Sequence, residues 1–149
     1  MHIIAVMSAV AALASAQPAA QITDIRMHLF YRLSGRLSDD ISPPHQFTGW
    51  NTVIGEGDAE EPAEDLLVVV EMRGGSGEEY VETPLRVVAR GRDNRVIADR
   101  RFDSLLSSER GTSYSPVWLQ DVPCEGEIRV TATFGGQSVS ESLSLECGE

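Results

Sequence analysis

The sequence contains no lysine; all 12 of its positive charges are arginine. That absence removes whole mechanisms. A Walker A loop needs a lysine on the nucleotide phosphates, and Schiff-base catalysis needs a lysine amine. Histidine is scarce, with three in the chain, and no H-E-x-x-H or other zinc-ligand spacing occurs. Cysteine is limited to Cys124 and Cys147. No uncharged apolar run reaches the ~18–20 residues that a membrane-spanning helix requires, so no membrane span is expected. Positive charge is in deficit as well, 12 Arg against 23 Asp and Glu, for a formal net charge of -11 over 149 residues. Nucleic-acid binding needs a basic surface to neutralise phosphates, and an anionic membrane face repels an acidic chain. Neither is an expected partner.

What is present begins with a leader. Residues 3–16 are apolar or small and uncharged, and Ala14-Ser15-Ala16 forms an A-x-A cleavage signal followed by Gln17-Pro18. Residues 1–16 therefore read as a secretory signal peptide, although the segment before the apolar run is only Met1-His2. Residues 17–149 read as one domain, a length typical of single domains. The expected location is secreted or periplasmic, in a bacterial envelope. The leader carries no Asp, Glu, Lys or Arg, so the mature chain keeps the whole charge imbalance.

Beyond the leader the pattern is that of strands. Ile25, Met27, Leu29, Tyr31 and Leu33 alternate with Arg26, His28, Phe30 and Arg32, the period of a strand with one buried face. Pro43-Pro44 marks a loop, residues 47–54 a second strand, and residues 55–65 an acidic loop. Residues 66–72 form a nearly continuous apolar run, as in a strand buried on both faces. A short strand begins at Tyr80, with Pro84 confining it to an edge or bulge. Residues 85–90 and 96–102 read as a hairpin around Asp93-Asn94, which tolerate the left-handed backbone of a tight turn. Residues 103–110 read as a connection with a single helical turn, and residues 112–119 as a strand interrupted by Pro116.

The last segment is the most informative. Residues 127–134 and 137–146 read as strands joined by Gly135-Gly136, a two-residue turn. That register pairs residues whose numbers sum to 271, so Ala132 meets Val139 and Ile128 meets Leu143. Cys124 and Cys147 obey the same sum. Opposed residues on neighbouring strands lie within the Cα separation a disulfide accepts, ~4.5–5.5 Å, so a Cys124–Cys147 bond is expected of an exported chain. About seven to eight short strands, frequent turn signals and no amphipathic helix point to an all-β fold. The class is an immunoglobulin-like antiparallel β-sandwich, with a small barrel as the alternative.

Catalytic patterns are weak. His28 lies on the outward face of the first strand and His45 in a loop, without a nucleophile spaced around either. Gly75-Ser76-Gly77 lacks the glycine that a nucleophile elbow needs two residues after serine, since Glu78 stands there. The chain is accordingly not expected to be an enzyme. A small hydrolase using paired carboxylates is the remote alternative, because 23 acids leave such a pair open.

Three surface features stand out instead. Asp58, Glu60 and Glu61 in the acidic loop are close enough in sequence to share a calcium ion, though the EF-hand spacing is absent. No other cofactor is expected. Arg86, Arg90, Arg92, Arg95, Arg100 and Arg101 concentrate on the hairpin of residues 85–102, as an interaction surface that complements the acidic loop within or between molecules. Tyr31, Phe47 and Trp50 could form an aromatic platform beside that loop, but Trp50 and Trp118 are expected in the core of a sandwich instead. The expected function is a non-enzymatic binding or accessory module with a protein or glycan partner. A structural or assembly subunit of the cell envelope is the alternative.

Overall fold

In β1, Gln21–Tyr31, period-two alternation sends Ile25, Met27, Leu29 and Tyr31 into the core and leaves Arg26, His28 and Phe30 half-buried on the other side. The computed structural model describes residues 20–42, 46–49, 55, 57–75, 77–122 and 126–146, and ten strands are formed among them. After β1 come β2 (Gln46–Thr48), β3 (Ala63–Arg73), β4 (Tyr80–Val81), β5 (Leu85–Arg90), β6 (Val96–Phe102), β7 (Leu105–Leu106), β8 (Thr112–Leu119), β9 (Gly126–Phe134) and β10 (Gln137–Glu146). Seven are long. The other three have two or three residues each, too few to show a period in the sequence, which is why seven to eight strands were expected and ten are found.

The strands form a three-stranded sheet in the order β1-β3-β8 and a five-stranded sheet in the order β2-β10-β9-β5-β6; β4 and β7 make a separate ribbon. Counting only long strands, the first, second and fifth share one sheet, and the third, fourth, sixth and seventh share the other. That partition is the immunoglobulin-like arrangement, reached by connections that pass from sheet to sheet. Pairing is antiparallel except that β2 runs parallel to β10.

The core lies between the sheets. Leu66, Val68, Val70 and Met72 of β3 face Leu85, Val87, Ala89, Ile128, Val130, Ala132 and Leu143 from the opposite sheet, and all are buried in one cluster. Each fully buried aliphatic side chain contributes about 1.5–3 kcal/mol. The apolar run of residues 66–72 is one continuous strand, as its composition predicts. Its outward residues are covered too, because β3 is the central strand of its sheet.

Both hairpins follow their sequence signals. In β9–β10, Ala132 pairs with Val139, Ile128 with Leu143 and Gly126 with Leu145, each pair summing to 271. Gly135 and Gly136 have φ of 52° and 85°, the positive values that a two-residue hairpin turn demands at both positions. In β5–β6 the same role falls to Asp93 (φ 55°) and Asn94 (φ 60°), closed by Arg95 N donating to Arg92 O at 3.1 Å.

Three expectations need correction. Residues 103–110 hold no helical turn. Leu105 is buried, Ser107 Oγ donates to Gly77 O at 2.5 Å and Ser107 N to Glu79 O at 3.0 Å, so the segment is drawn out beside β4 as β7. The acidic loop is shorter than its composition suggests, since β3 starts at Ala63 and takes in Glu64 and Asp65. Pro116 does not interrupt β8, which is an edge strand where a missing N–H can face away from the sheet. The leader, Pro43-Pro44-His45, Trp50, Ser76, Cys124 and Cys147 lie outside the described residues.

Candidate binding face

Val117 and Leu119 of β8 point into the core, so period two turns Tyr114, Pro116 and Trp118 outward. Tyr114 is 56% exposed and Trp118 46% exposed. Pairing through β3 sets three cross-strand rows on the outer face of this sheet. Trp118, Leu67 and His28 form the first, Pro116, Val69 and Arg26 the second, and Tyr114, Glu71 and Asp24 the third. Because Pro116 has no N–H to give β3, the β8–β3 pairs of these rows occupy the non-hydrogen-bonded sites, where side chains approach most closely. Trp118 and Tyr114, four residues apart on one face, stand ~13 Å from each other along the strand.

The two exposed rings are held from beneath. Phe30 meets Trp118 edge to face, with centroids 5.8 Å apart and planes at 86°. The Arg26 guanidinium lies 5.5 Å from the centre of the Tyr114 ring, within cation–π range. Arg26 is itself fixed by Glu71, whose carboxylate is 8% exposed and accepts from Arg26 Nη2 at 2.9 Å, Arg73 Nε at 2.5 Å and Thr23 Oγ1 at 3.4 Å. A buried carboxylate is tolerated only when paired in this way. Arg26 Nε is buried without a hydrogen-bond partner, 3.5 Å from Asp24 Oδ2. His28 sits at the margin, its Nδ1 3.0 Å from Ser38 O.

The outer face of the other sheet is different in kind. There β10 presents Ser138, Ser140, Ser142 and Ser144, and β9 presents Arg129, Thr131 and Thr133. Aromatic rings and proline are gathered on one face, hydroxyls and guanidinium groups on the other.

The acidic loop is occupied by its own chain. Asp58 Oδ2 accepts from Thr48 N at 2.8 Å, while Asp58 N donates to Thr48 O at 3.0 Å, tying the loop to β2. Glu60 accepts from Arg36 Nη2 at 2.9 Å, and Glu61 accepts from the same atom at 3.4 Å and from Ser34 N at 3.1 Å. Glu64 pairs with Arg32. These hydrogen bonds raise the pKa of both arginines above the ordinary guanidinium value. Among the described residues, no three His, Cys, Asp or Glu side chains are grouped as a metal ion would require. Beside the loop an open groove of about 580 Å³ is lined by Asp40, Phe47, Asp58 and Glu60.

The acids are thus matched by Arg32 and Arg36 of the turn after β1, and the hairpin arginines find partners elsewhere. Arg86 grips Asp99 with two bonds of 2.9 and 2.6 Å, holding the Asp99 carboxyl below its ordinary value through hydrogen bonding and charge. Arg101 pairs with Asp103 at 2.8 Å, and Arg100 lies over the Phe102 ring at 4.7 Å. Arg90 donates to Asn94 O at 3.0 Å, and Arg92 and Arg95 flank the turn.

The aromatic platform is displaced from its expected place. Tyr31 is buried, and its hydroxyl accepts from Glu60 N at 3.3 Å; Phe47 is half-buried against the core. Trp118, assigned to the core on its residue type, is exposed instead. The parity of Val117 and Leu119 was the signal that placed it outside.

No family model and no curated protein matches the chain. Among solved structures, it is similar to a Bifidobacterium dentium β-glucuronidase complexed with coumarin-3-O-glucuronide, at 10% identity and a TM-score of 0.43. The match covers 85% of this chain and 17% of that one, so the chain spans a small part of the glucuronidase's length. It is similar also to an immunoglobulin-like protein from Pseudomonas aeruginosa, at 13% identity and a TM-score of 0.44, over 88% of this chain and 99% of that one. The strand order defines the class: an all-β, immunoglobulin-like sandwich. No helix among the described residues is long and apolar enough to cross a membrane.

Proposed function

We propose that the chain is an exported, non-enzymatic immunoglobulin-like module that binds a glycan across the outer face of β1-β3-β8. The carrying observation is the exposed pair Tyr114 and Trp118, set on one flat face and braced by Arg26 and Phe30. A pyranose ring is amphipathic, with a C–H face that stacks on an aromatic ring and hydroxyls that need polar partners. Asp24, Arg26 and His28 border the rings and supply such partners. Export is supported by the uncharged leader and its A-x-A site. A non-catalytic role is supported by the acidic end, where Glu60 and Glu61 are engaged by Arg36 and Glu64 by Arg32.

Calorimetric titration of the mature domain against a panel of neutral oligosaccharides tests this. Trp118→Ala is expected to weaken binding by roughly tenfold or more while leaving the fold intact. Equal affinity of wild type and Trp118→Ala, or no binding across the panel, counts against it.

One observation favours the assembly-subunit reading. Tyr80 and Leu106 pair directly across the β4–β7 ribbon and are 72% and 58% exposed, an apolar pair suited to a protein contact. Sedimentation of wild type beside Leu106→Glu separates the two. An assembly that the glutamate dissolves supports the contact, and a monomer for both removes it.

A further inference from the structure

Successive outward positions of β8 hold Tyr114, Pro116 and Trp118, all exposed and uncharged. They make a continuous track along an edge strand, with Val69 half-buried beside Pro116 and Leu67 buried beside Trp118. Across the strands each row offers at most one exposed ring, whereas along β8 the face offers two. The charged groups lie to one side of the track, on β1 and β3, and they balance. Glu71 takes both Arg26 and Arg73, and Asp24 lies 3.5 Å from Arg26 Nε. This face is therefore locally neutral in a chain whose net charge is -11.

Taking the glycan reading above as given, we infer that the ligand is a straight, uncharged glycan that runs along β8. It stacks on Trp118 and Tyr114 at once, with at least one sugar unit between them over Pro116. Length follows from spacing. With bonds of about 1.5 Å, one pyranose ring and its bridging oxygen advance a chain by only about 5 Å. The ~13 Å between the two aromatic positions exceeds one such step, so a disaccharide cannot stack on both. Shape follows from the two rings sharing one face of one strand. A chain linked through equatorial oxygens extends as a ribbon and can present two of its units to that face, while axial linkages curl the chain away. Neutrality follows from the balanced charges, since a charged sugar finds no excess of the opposite sign there. Pro116 gives the middle unit an apolar surface without a side-chain polar group to desolvate. Asp24 accepts and Arg26 donates toward hydroxyls on the β1 side, and on the other side the edge strand leaves hydroxyls in water. Once one ring is stacked, the second meets its sugar at high effective concentration, so two weak contacts multiply.

The test is calorimetric titration of the mature domain with linear oligosaccharides of one to six units. The β-1,4-linked series of glucose, xylose, mannose and N-acetylglucosamine are compared with the α-1,4-linked glucose series. In at least one β-linked series affinity is expected to rise about tenfold or more between two and four units, then level off. Tyr114→Ala should abolish that step and leave short and long chains equally weak, while Tyr114→Phe keeps the stacking surface and should keep the step. Binding that needs Trp118 but shows no step with length, or that is unmoved by Tyr114→Ala, overturns the two-ring track and leaves the glycan face standing. Equal or tighter binding of the α-linked series overturns the straight chain. No binding of any series overturns both the track and the glycan reading.

Discussion

Trp118 of β8 meets Phe30 of β1 edge to face over the central strand of their sheet, with ring centroids 5.8 Å apart. The two belong to strands that are not neighbours, and Leu67 of β3 lies in register between Trp118 and His28. The contact explains how an outward-facing leucine stays buried, and it fixes the orientation of a ring that remains half open to solvent. The same side chain thus packs and presents.

That contact predicts a measurable coupling. In a double-mutant cycle on unfolding free energy, Phe30→Ala and Trp118→Ala should be non-additive by about 0.5–1.5 kcal/mol. Additive effects would mean that the rings are neighbours without being partners.

Glu71 is the keystone beneath Tyr114. Removing it as Glu71→Ala leaves Arg26 without its buried counter-charge and should cost roughly 3 kcal/mol or more in chemical denaturation. Glu71→Gln retains shape and part of the hydrogen bonding and should cost less. Equal, small losses would show that the pair contributes little.

How far the sequence carries can be seen in these residues. Period two in β1, the Gly135-Gly136 turn and the sum-271 register were all legible, because local sterics and side-chain alternation determine them. The role of Glu71 was not, since it depends on Arg26 arriving from a different strand and Arg73 folding back along the same one. The partners of the acidic loop were illegible for a similar reason: charge counts showed six arginines on the hairpin, but chain topology brings Arg32 and Arg36 nearer. Trp118 was misplaced by weighing residue type above parity. The ribbon of β4 and β7 is too short to leave a periodic trace.

Acid titration should reveal the Arg86–Asp99 pair. The Asp99 carboxyl is held below its ordinary value of 3.8 in the folded chain, so the pair stabilises the fold above that pH. The contribution fades as pH falls through the folded value. Arg86→Gln should return Asp99 toward 3.8 in an NMR titration and should narrow the stability gap to wild type in strong acid. An Asp99 titration unchanged by Arg86→Gln would show that the two side chains are not paired in solution.

The β9–β10 pairs sum to 271 as far as Gly126 and Leu145, and Cys124 and Cys147, which lie outside the described residues, have the same sum in the sequence. For an exported chain this predicts a disulfide that stabilises by about 3 kcal/mol through the loop it closes. Thiol labelling of unfolded, non-reduced protein should find no free cysteine, and reduction should lower the thermal midpoint. Two labelled thiols would refute the bond.

The glycan proposed above lies across the outer face of β1-β3-β8. The most direct measurement is amide and indole NMR during titration with an oligosaccharide that the domain binds. The Trp118 indole N–H and the amides of Tyr114, Ser115, Val117 and Trp118 are expected to shift together and saturate, while the serine and threonine face of β9 and β10 stays unchanged. Shifts confined to that second face, with Trp118 unmoved, would contradict it.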